Sequence, residues 1–447
     1  MKIVLCPVSL SNPLSITSGS PKVVHTLALG YLASALKANK ATQNEEVIIL
    51  EREAVMHTLK TVKKEILREQ PDVLGISVYL WNYQRAMSLC EMIKQDNPHI
   101  TIVLGGPQVT YTAQEVLKEN PSIDIIVRGE GEITFCELIE ALKRRTPLHS
   151  VQGITFRHDN SIVQTPDRPP NCNLDAIPSP YLTGILDLSI SEKLDLETSR
   201  GCCNRCAYCV WHRAYKKINY HSMERVFEEL KFAHDTGVKE ISFFDSVFDS
   251  PERGKALCTF IQTEGMDLRI NIFLNVWSVK PEYLHMLKRS GTFSLDVGVQ
   301  SMNPETLMLI NRPSNVEVTK KALAHLEAGG VETICDIIFG LPRDTLQTVK
   351  AEIDSISSHR LTLQTNFLQL LPGSQLYETA RHHGLVYTEE PPHMVYQTPT
   401  MTKEELIEVF QYGHFVRHRE NMRRAIESGK VDRGVRLQWR FDSLFGG

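Results

Sequence analysis

The sequence predicts an α/β protein: an N-terminal doubly wound parallel sheet, then a partial (β/α)6 barrel, then a short helical tail. Three observations carry this prediction. Short apolar runs alternate with amphipathic stretches up to about residue 145, and the same alternation restarts near Leu194. A stretch rich in Pro, Asn and Asp separates the two runs, with Pro169-Pro170 and Pro178-Ser179-Pro180 punctuating against helix. From Lys403 onward the pattern is helical and then basic. Alternation at this spacing builds parallel sheets covered on both faces, with ligands at the carboxyl ends of the strands.

The expected domains are therefore 1–150, a linker over 151–190, a barrel over 191–385 and a tail over 386–447. In the first domain, strands are predicted at Lys2–Cys6, Glu46–Leu50, Asp72–Val78, Ile100–Leu104 and Ile123–Val127. Helices are predicted at Val23–Lys37, Val55–Glu69, Tyr83–Gln95, Ala113–Glu119 and after Gly131. The loops leaving those strands contain Ser9–Ser20, Ser77–Asn82, Gly105-Gly106-Pro107 and Arg128–Glu132. In the barrel, strands are predicted at Leu194–Ser199, Glu240–Asp245, Arg269–Asn275, Thr292–Val297, Glu332–Phe339 and Leu363–Leu371. Helices at Ser222–Thr236, Pro251–Glu264, Pro281–Ser290, Val316–Ala328 and Leu346–Ser357 intervene, which places the chemistry at the carboxyl ends of the barrel strands.

Composition narrows the function classes. A balance of 49 Lys+Arg against 53 Asp+Glu argues against a broad nucleic-acid footprint. No apolar run approaches a membrane span, and Met1–Leu5 reads as a first strand rather than a signal peptide. Ten cysteines without a secretion signal fit a reducing, cytoplasmic setting. Four of the ten fall together, in Thr198-Ser199-Arg200-Gly201-Cys202-Cys203-Asn204-Arg205-Cys206-Ala207-Tyr208-Cys209.

Thiolates favour iron–sulfur or zinc sites. A structural zinc site wants four ligands, whereas Cys202, Cys206 and Cys209 supply three with no downstream partner pair. Cys203 with Cys206 and Cys209 makes a competing C-x2-C-x2-C series. The C-x3-C-x2-C spacing, with aromatic Tyr208 before the last cysteine, resembles the signature of the radical S-adenosylmethionine superfamily. That resemblance selects Cys202, Cys206 and Cys209 as ligands of a 4Fe–4S cluster whose open iron chelates S-adenosylmethionine. It further implies reductive cleavage of the sulfonium and hydrogen abstraction from a small-molecule substrate by a 5′-deoxyadenosyl radical. An external one-electron reductant such as flavodoxin or ferredoxin is implied as partner.

Other segments over Leu194–Tyr377 extend the resemblance. It implies an S-adenosylmethionine pocket formed by Tyr208, Asp245, Gln300, Ser301, Gly340 and Pro372. Helix caps are the competing role for Asp245 and for Ser301 or Asn303. Trp211 and His212, just after the cysteines, are candidates for the substrate cavity.

The segments Leu29–Ala33, Gly75–Asn82, Gly105–Val109 and Val127–Glu132 resemble the cobalamin-binding, Rossmann-like domain that precedes many such barrels. The resemblance implies cobalamin contacts from Ser77, Gly105, Gly106, Pro107, Gly129 and Glu130, the glycines admitting close backbone approach. Tight βα turns are the plainer reading of those glycines. The Asp-x-His-x-x-Gly motif of other cobalamin proteins is absent, so binding without a protein histidine is expected. The leading function is cobalamin-dependent methyl transfer to an unactivated carbon. The alternative is a dehydration, epimerisation or ring formation in which the first domain does not use cobalamin. A methylthiolating enzyme of transfer RNA would need Cys6, Cys90 and Cys136 as a second cluster, but Cys90 and Cys136 fall in apolar helix faces. The basic tail, including Arg417, Arg423, Arg424, Arg433, Arg436 and Arg440, reads as a solvated helical face and lid.

Overall fold

The computed structural model describes residues 1–8, 26–50, 58–159, 161–188, 193–248 and 250–427. The loop Ser9–Ser20, the first turns of the helices expected from Val23 and Val55, and Arg433, Arg436 and Arg440 lie outside these residues, as does the side chain of Arg424.

The first sheet contains β1 (Lys2–Pro7), β2 (Glu46–Ile49), β3 (Val73–Ser77), β4 (Thr101–Gly105), β5 (Ile125–Val127), β6 (Ile154–His158) and β7 (Ser161–Gln164). Their order is β2-β1-β3-β4-β5-β6-β7, parallel through β5 and antiparallel after it. The reversal between β1 and β3 is the topological switch point of a doubly wound sheet. β1 shows why its sequence is apolar throughout: Ile3 and Leu5 pack into one core, Val4 and Cys6 into another on the opposite face. Cys90 shares the core of Cys6, while Cys136 lies in the other, so these three thiols are packing residues on two sides of one sheet.

The β6–β7 hairpin lies in the stretch read as a linker. It pairs with the free edge of β5 and leaves that parallel strand no bare hydrogen-bonding row. Its polar residues hide the strand signal. Arg157, for example, donates to the carbonyl of Ile123 at 2.9 Å.

The second sheet begins with β8 (Lys193–Leu196). The short β9 (Ser199–Arg200) and β10 (Asn219–Tyr220) pair antiparallel across the cysteine segment. β11 (Glu240–Phe243), β12 (Arg269–Asn275), β13 (Phe293–Gln300), β14 (Glu332–Phe339) and β15 (Thr362–Phe367) complete a six-stranded parallel sheet, with β8 and β15 at its edges. This is the partial (β/α)6 barrel. Burial alternates along its strands, unlike β1: Ile270, Ile272, Leu295, Val297, Cys335 and Ile337 enter the largest core. The residues between them face the barrel interior and stay partly exposed.

Helices sit where local chemistry starts and stops them. Helix Pro251–Glu264 has Ser250 accepting from the Arg253 amide, proline at its first position and Gly265 in the left-handed conformation at its end. In the tail, β16 (Val386–Tyr387) and β17 (Val395–Gln397) form a small hairpin before helix Lys403–Glu427. Leu406, Val409 and Val416 of that helix join the barrel core, so it is packed structure. Among the described residues, no helix is long and apolar enough to cross a membrane.

Candidate active site

The cysteine segment leaves β9 through Gly201, whose φ of 98° and neighbours leave no room for a side chain: a Cβ would stand 2.9 Å from that of Tyr215. Asp245 fixes the approach to it. This buried carboxylate accepts from the Thr198 amide at 2.6 Å, the Thr198 hydroxyl at 2.5 Å, the Ser199 amide at 3.0 Å and the Ser199 hydroxyl at 2.7 Å. Asp245 therefore caps no helix, that role belonging to Ser250, and its oxygens are engaged by the chain itself. The Ser246 hydroxyl donates to the Gly201 carbonyl beside it.

Cys206 is buried, Cys202 and Cys209 are half-buried, and Cys203 is exposed. Arg312 donates to the Cys206 sulfur at 3.5 Å and stacks 4.8 Å over the Trp277 ring. The Asn204 amide donates to the Cys202 sulfur at 3.4 Å. Asn204 and Asn275, joined at 2.7 Å, hold the Cys203 thiol, which donates to Asn204. Backbone bonds from Ala207 to Ile310 at 2.9 Å and from Leu376 to Ala207 at 2.8 Å tie the loop to the barrel. Among the described residues, no three His, Cys, Asp or Glu side chains converge as a ready metal cage. The donor chemistry nevertheless fits a 4Fe–4S cluster, because three thiolates on one anchored loop would each take a different iron.

The remaining barrel positions divide. Tyr208 is half-buried beside Cys206 and Arg312. Gln300 has φ 70° at a register shift in β13, and its amide folds back over Gly298, next to Arg312. A non-glycine residue held there is a strained position of the kind that collects at functional sites. Ser301 is fully buried and donates to Glu352 at 2.9 Å, while Asn303 caps the following helix. Gly340 has φ 84° and faces Leu406, Leu368 and Val395. Pro372 is buried in the turn before Gly373, on which Tyr111 of the first domain rests: a Cβ there would lie 2.3 Å from the ring. Trp211 is half exposed. His212 has a buried Nδ1 with no partner, and burial, followed by Arg205 and Arg213, lowers its pKa.

The first domain's strand-end loops differ in how open they are. Ser77 is buried and its carbonyl accepts from Asn82 at 3.0 Å. Gly106 is required by its own fold: a Cβ would stand 2.4 Å from the Val78 carbonyl oxygen. Pro107, exposed, begins helix Pro107–Thr110. Gly105 has nothing nearer than 3.8 Å to a Cβ, and Gly129, at φ 73°, has nothing within 4 Å. Gly129 therefore faces open space, whereas a side chain at Gly105 would sit in ordinary contact with Val127. Glu130 is already engaged, accepting from Tyr215 at 2.9 Å and from the Asn171 amide at 2.5 Å.

The residue the sequence did not single out is Arg200, two positions before Cys202. It is 8% exposed and binds Glu132 at 2.6 Å, Glu197 at 2.8 Å and Glu130 at 3.1 Å. Its guanidinium also lies 5.5 Å from the Tyr31 ring. Burial pushes Glu197 up to about 7. Against the same upward push, Arg200 holds Glu132 below the ordinary carboxylate range. Gln108 and His393 make a second buried link between first domain and tail, at 3.1 Å. Partners so far apart in sequence give no local signal.

Residues 16–139 match the family model of the B12 binding domain, and residues 196–356 that of the Radical SAM superfamily. The chain is 29% identical over 388 residues to an uncharacterised methyltransferase of Pyrococcus horikoshii, covering 83% of this chain and 81% of that protein. It is 25% identical over 392 residues to the cobalamin-dependent radical SAM methyltransferase TokK of Streptomyces tokunonensis, covering 79% of this chain and 57% of TokK. An anaerobic magnesium-protoporphyrin IX monomethyl ester cyclase of Rubrivivax gelatinosus is 26% identical over 342 residues, covering 72% of this chain and 60% of the cyclase. Among solved structures, the radical S-adenosylmethionine methyltransferase TsrM of Kitasatospora setae shares the fold at TM-score 0.67 and 18% identity, covering 87% of this chain and 77% of that one.

Proposed function

Because the chain belongs to the radical S-adenosylmethionine superfamily, in the class with a B12-binding domain ahead of the barrel, we propose that it methylates an unactivated carbon of a small molecule. The observation that carries this reading is the buried contact of Arg200 with Glu130 and Glu132. It sets the loop after β5 of the B12-binding domain against the segment that leads into the cysteines. Methyl donor and substrate radical must meet before the radical is quenched, so the two strand-end surfaces need to share one space.

In this reading Cys202, Cys206 and Cys209 hold the cluster, and Gly129 offers backbone to cobalamin. When bound, these groups supply electron transfer to the sulfonium and a transferable methyl. The chain does the rest. Asp245 and Ser246 lock the backbone that presents Cys202. Arg312 donates to the Cys206 sulfur and to the Gly298 carbonyl, which ties the cysteine loop to β13. Gln300, held in its strained turn, aims an amide at the same layer. Tyr111 on Gly373 of the barrel and Gln108 on His393 of the tail close the seam along the first domain, limiting entry of water.

Anaerobic incubation with S-adenosylmethionine, with and without methylcobalamin, followed by mass analysis against candidate metabolites, tests the proposal. A product heavier by one methylene, formed only with methylcobalamin, is expected. The likeness to the cyclase favours one second reading, ring formation without methyl transfer. A product of unchanged or lower mass, formed without cobalamin, would establish that reading instead.

A further inference from the structure

Paired residues of a parallel sheet project to the same side, so the interior positions of the barrel fall into rows. Phe273 of β12 pairs with Asp296 of β13, and Asp296 with Ile334 of β14. Phe244, just past β11, is 50% exposed and Phe273 36%. Their neighbours on the other face, such as Ile272, Leu274, Leu295 and Val297, are 3% exposed or less. Two open phenylalanines on inner strands are an apolar surface that a ligand would cover.

One carboxylate stands in this row. Among the described residues, no Lys, Arg or His forms an ion pair with Asp296. Its side-chain hydrogen-bond partner is Asn271. Asp336, one row up, is pushed up to about 7 by burial and by Asp296, with Arg417 acting against that push. Immediately above Asp296 on β13 is Gly298, where the Gln300 amide and the Arg312 guanidinium approach to 2.6 and 3.0 Å of a would-be Cβ. Arg312 in turn touches Cys206. The row therefore lies one step below the layer that abuts the cysteine loop.

We infer that Asp296, with Phe273 and Phe244, binds a cationic nitrogen of the substrate, an ammonium group close to the carbon that reacts. The inference rests on the reading that the barrel takes a small-molecule substrate. An ammonium gains from exposed aromatic rings and from a carboxylate that no cation neutralises. A neutral or anionic group would leave Asp296 covered with Asn271 but no opposite charge, which is costly. The row thus selects on charge as well as shape.

Calorimetric titration of the anaerobically reconstituted protein, with saturating S-adenosylmethionine, tests this using benzylammonium and its neutral isostere benzyl alcohol. Benzylammonium is expected to bind at least about tenfold tighter, the preference shrinking as salt is raised. In Asp296→Asn the two probes should bind within about threefold of each other. Equal binding by the wild-type protein, no binding of either probe, or an undiminished preference in Asp296→Asn would overturn the inference. So would displacement of benzylammonium by S-adenosylmethionine, which would assign the row to the cofactor. The wild-type comparison does not depend on how the variant folds. The titration needs no turnover, so failure of methyl transfer in the product assay would leave this result standing on its own.

Discussion

Arg200 donates to Glu132 at 2.6 Å, joining the strand that leads into the cysteines to the first turn of a helix in the B12-binding domain. Both side chains are at least nine-tenths buried. Removing one partner of a buried pair leaves the other charge desolvated, at a cost of about 3–5 kcal/mol. Arg200→Gln removes the opposite charge from three carboxylates, of which Glu130 keeps Tyr215 and the Asn171 amide as donors. The expected outcome is a loss of this size or greater in denaturant-induced unfolding, with Glu132→Gln milder because Glu130 and Glu197 remain on Arg200. A change below about 1 kcal/mol in Arg200→Gln would mean that the contact is solvated and holds nothing together.

The glycines of the first domain should separate by role. Gly106→Ala puts a Cβ 2.4 Å from the Val78 carbonyl oxygen and should destabilise the domain by several kcal/mol, of order ~3. Gly129→Asn keeps a residue type that tolerates left-handed backbone and meets no atoms, so its cost should stay within about 1 kcal/mol. Cobalamin uptake measured by absorbance is the second readout. Gly129→Asn is expected to weaken uptake while melting normally. Unchanged uptake would remove Gly129 from the binding surface.

Glu352 predicts a pH dependence. Burial pushes its carboxyl up to about 7, although Ser301 and the Met302 amide bind its Oε1. The folded protein therefore keeps a proton that the unfolded chain releases near 4.5. This group's contribution is full below about pH 4.5 and is lost as pH rises towards about 7. Glu352→Gln, always neutral, should show a smaller fall in unfolding midpoint than wild type between about pH 5 and 8. Parallel pH profiles for the two proteins would show that Glu352 is ionised throughout.

Much of this architecture was legible because its signals are local. Helices Pro251–Glu264 and Pro281–Ser290 carry proline at the start and a left-handed glycine just past the end. Strands Arg269–Asn275 and Glu332–Phe339 alternate with a period of two, as a sheet buried on one face must. The cysteine spacing was equally plain, because its three candidate ligands lie on one loop. What the sequence did not display is long-range. Glu130, read as a cobalamin contact, bonds Arg200 and Tyr215, 70 and 85 residues away. Asp245, read as a cofactor contact or a cap, bonds Thr198 and Ser199 in the segment after β8, and the cap is Ser250. The β6–β7 hairpin passed for linker because the polar groups of Arg157 and Thr165 bond backbone rather than solvent.

The ligand register of the cysteine loop is tested most directly by iron content and S-adenosylmethionine cleavage in four single variants of the reconstituted protein. Cys203 is exposed and hydrogen-bonded to Asn204, whereas Cys202 receives an amide and Cys206 a guanidinium. Cys203→Ala should keep one 4Fe–4S cluster and release 5′-deoxyadenosine. Cys202→Ala, Cys206→Ala and Cys209→Ala should lose cleavage. A Cys203→Ala protein without cluster, beside a Cys202→Ala protein that retains it, would contradict the account at its centre.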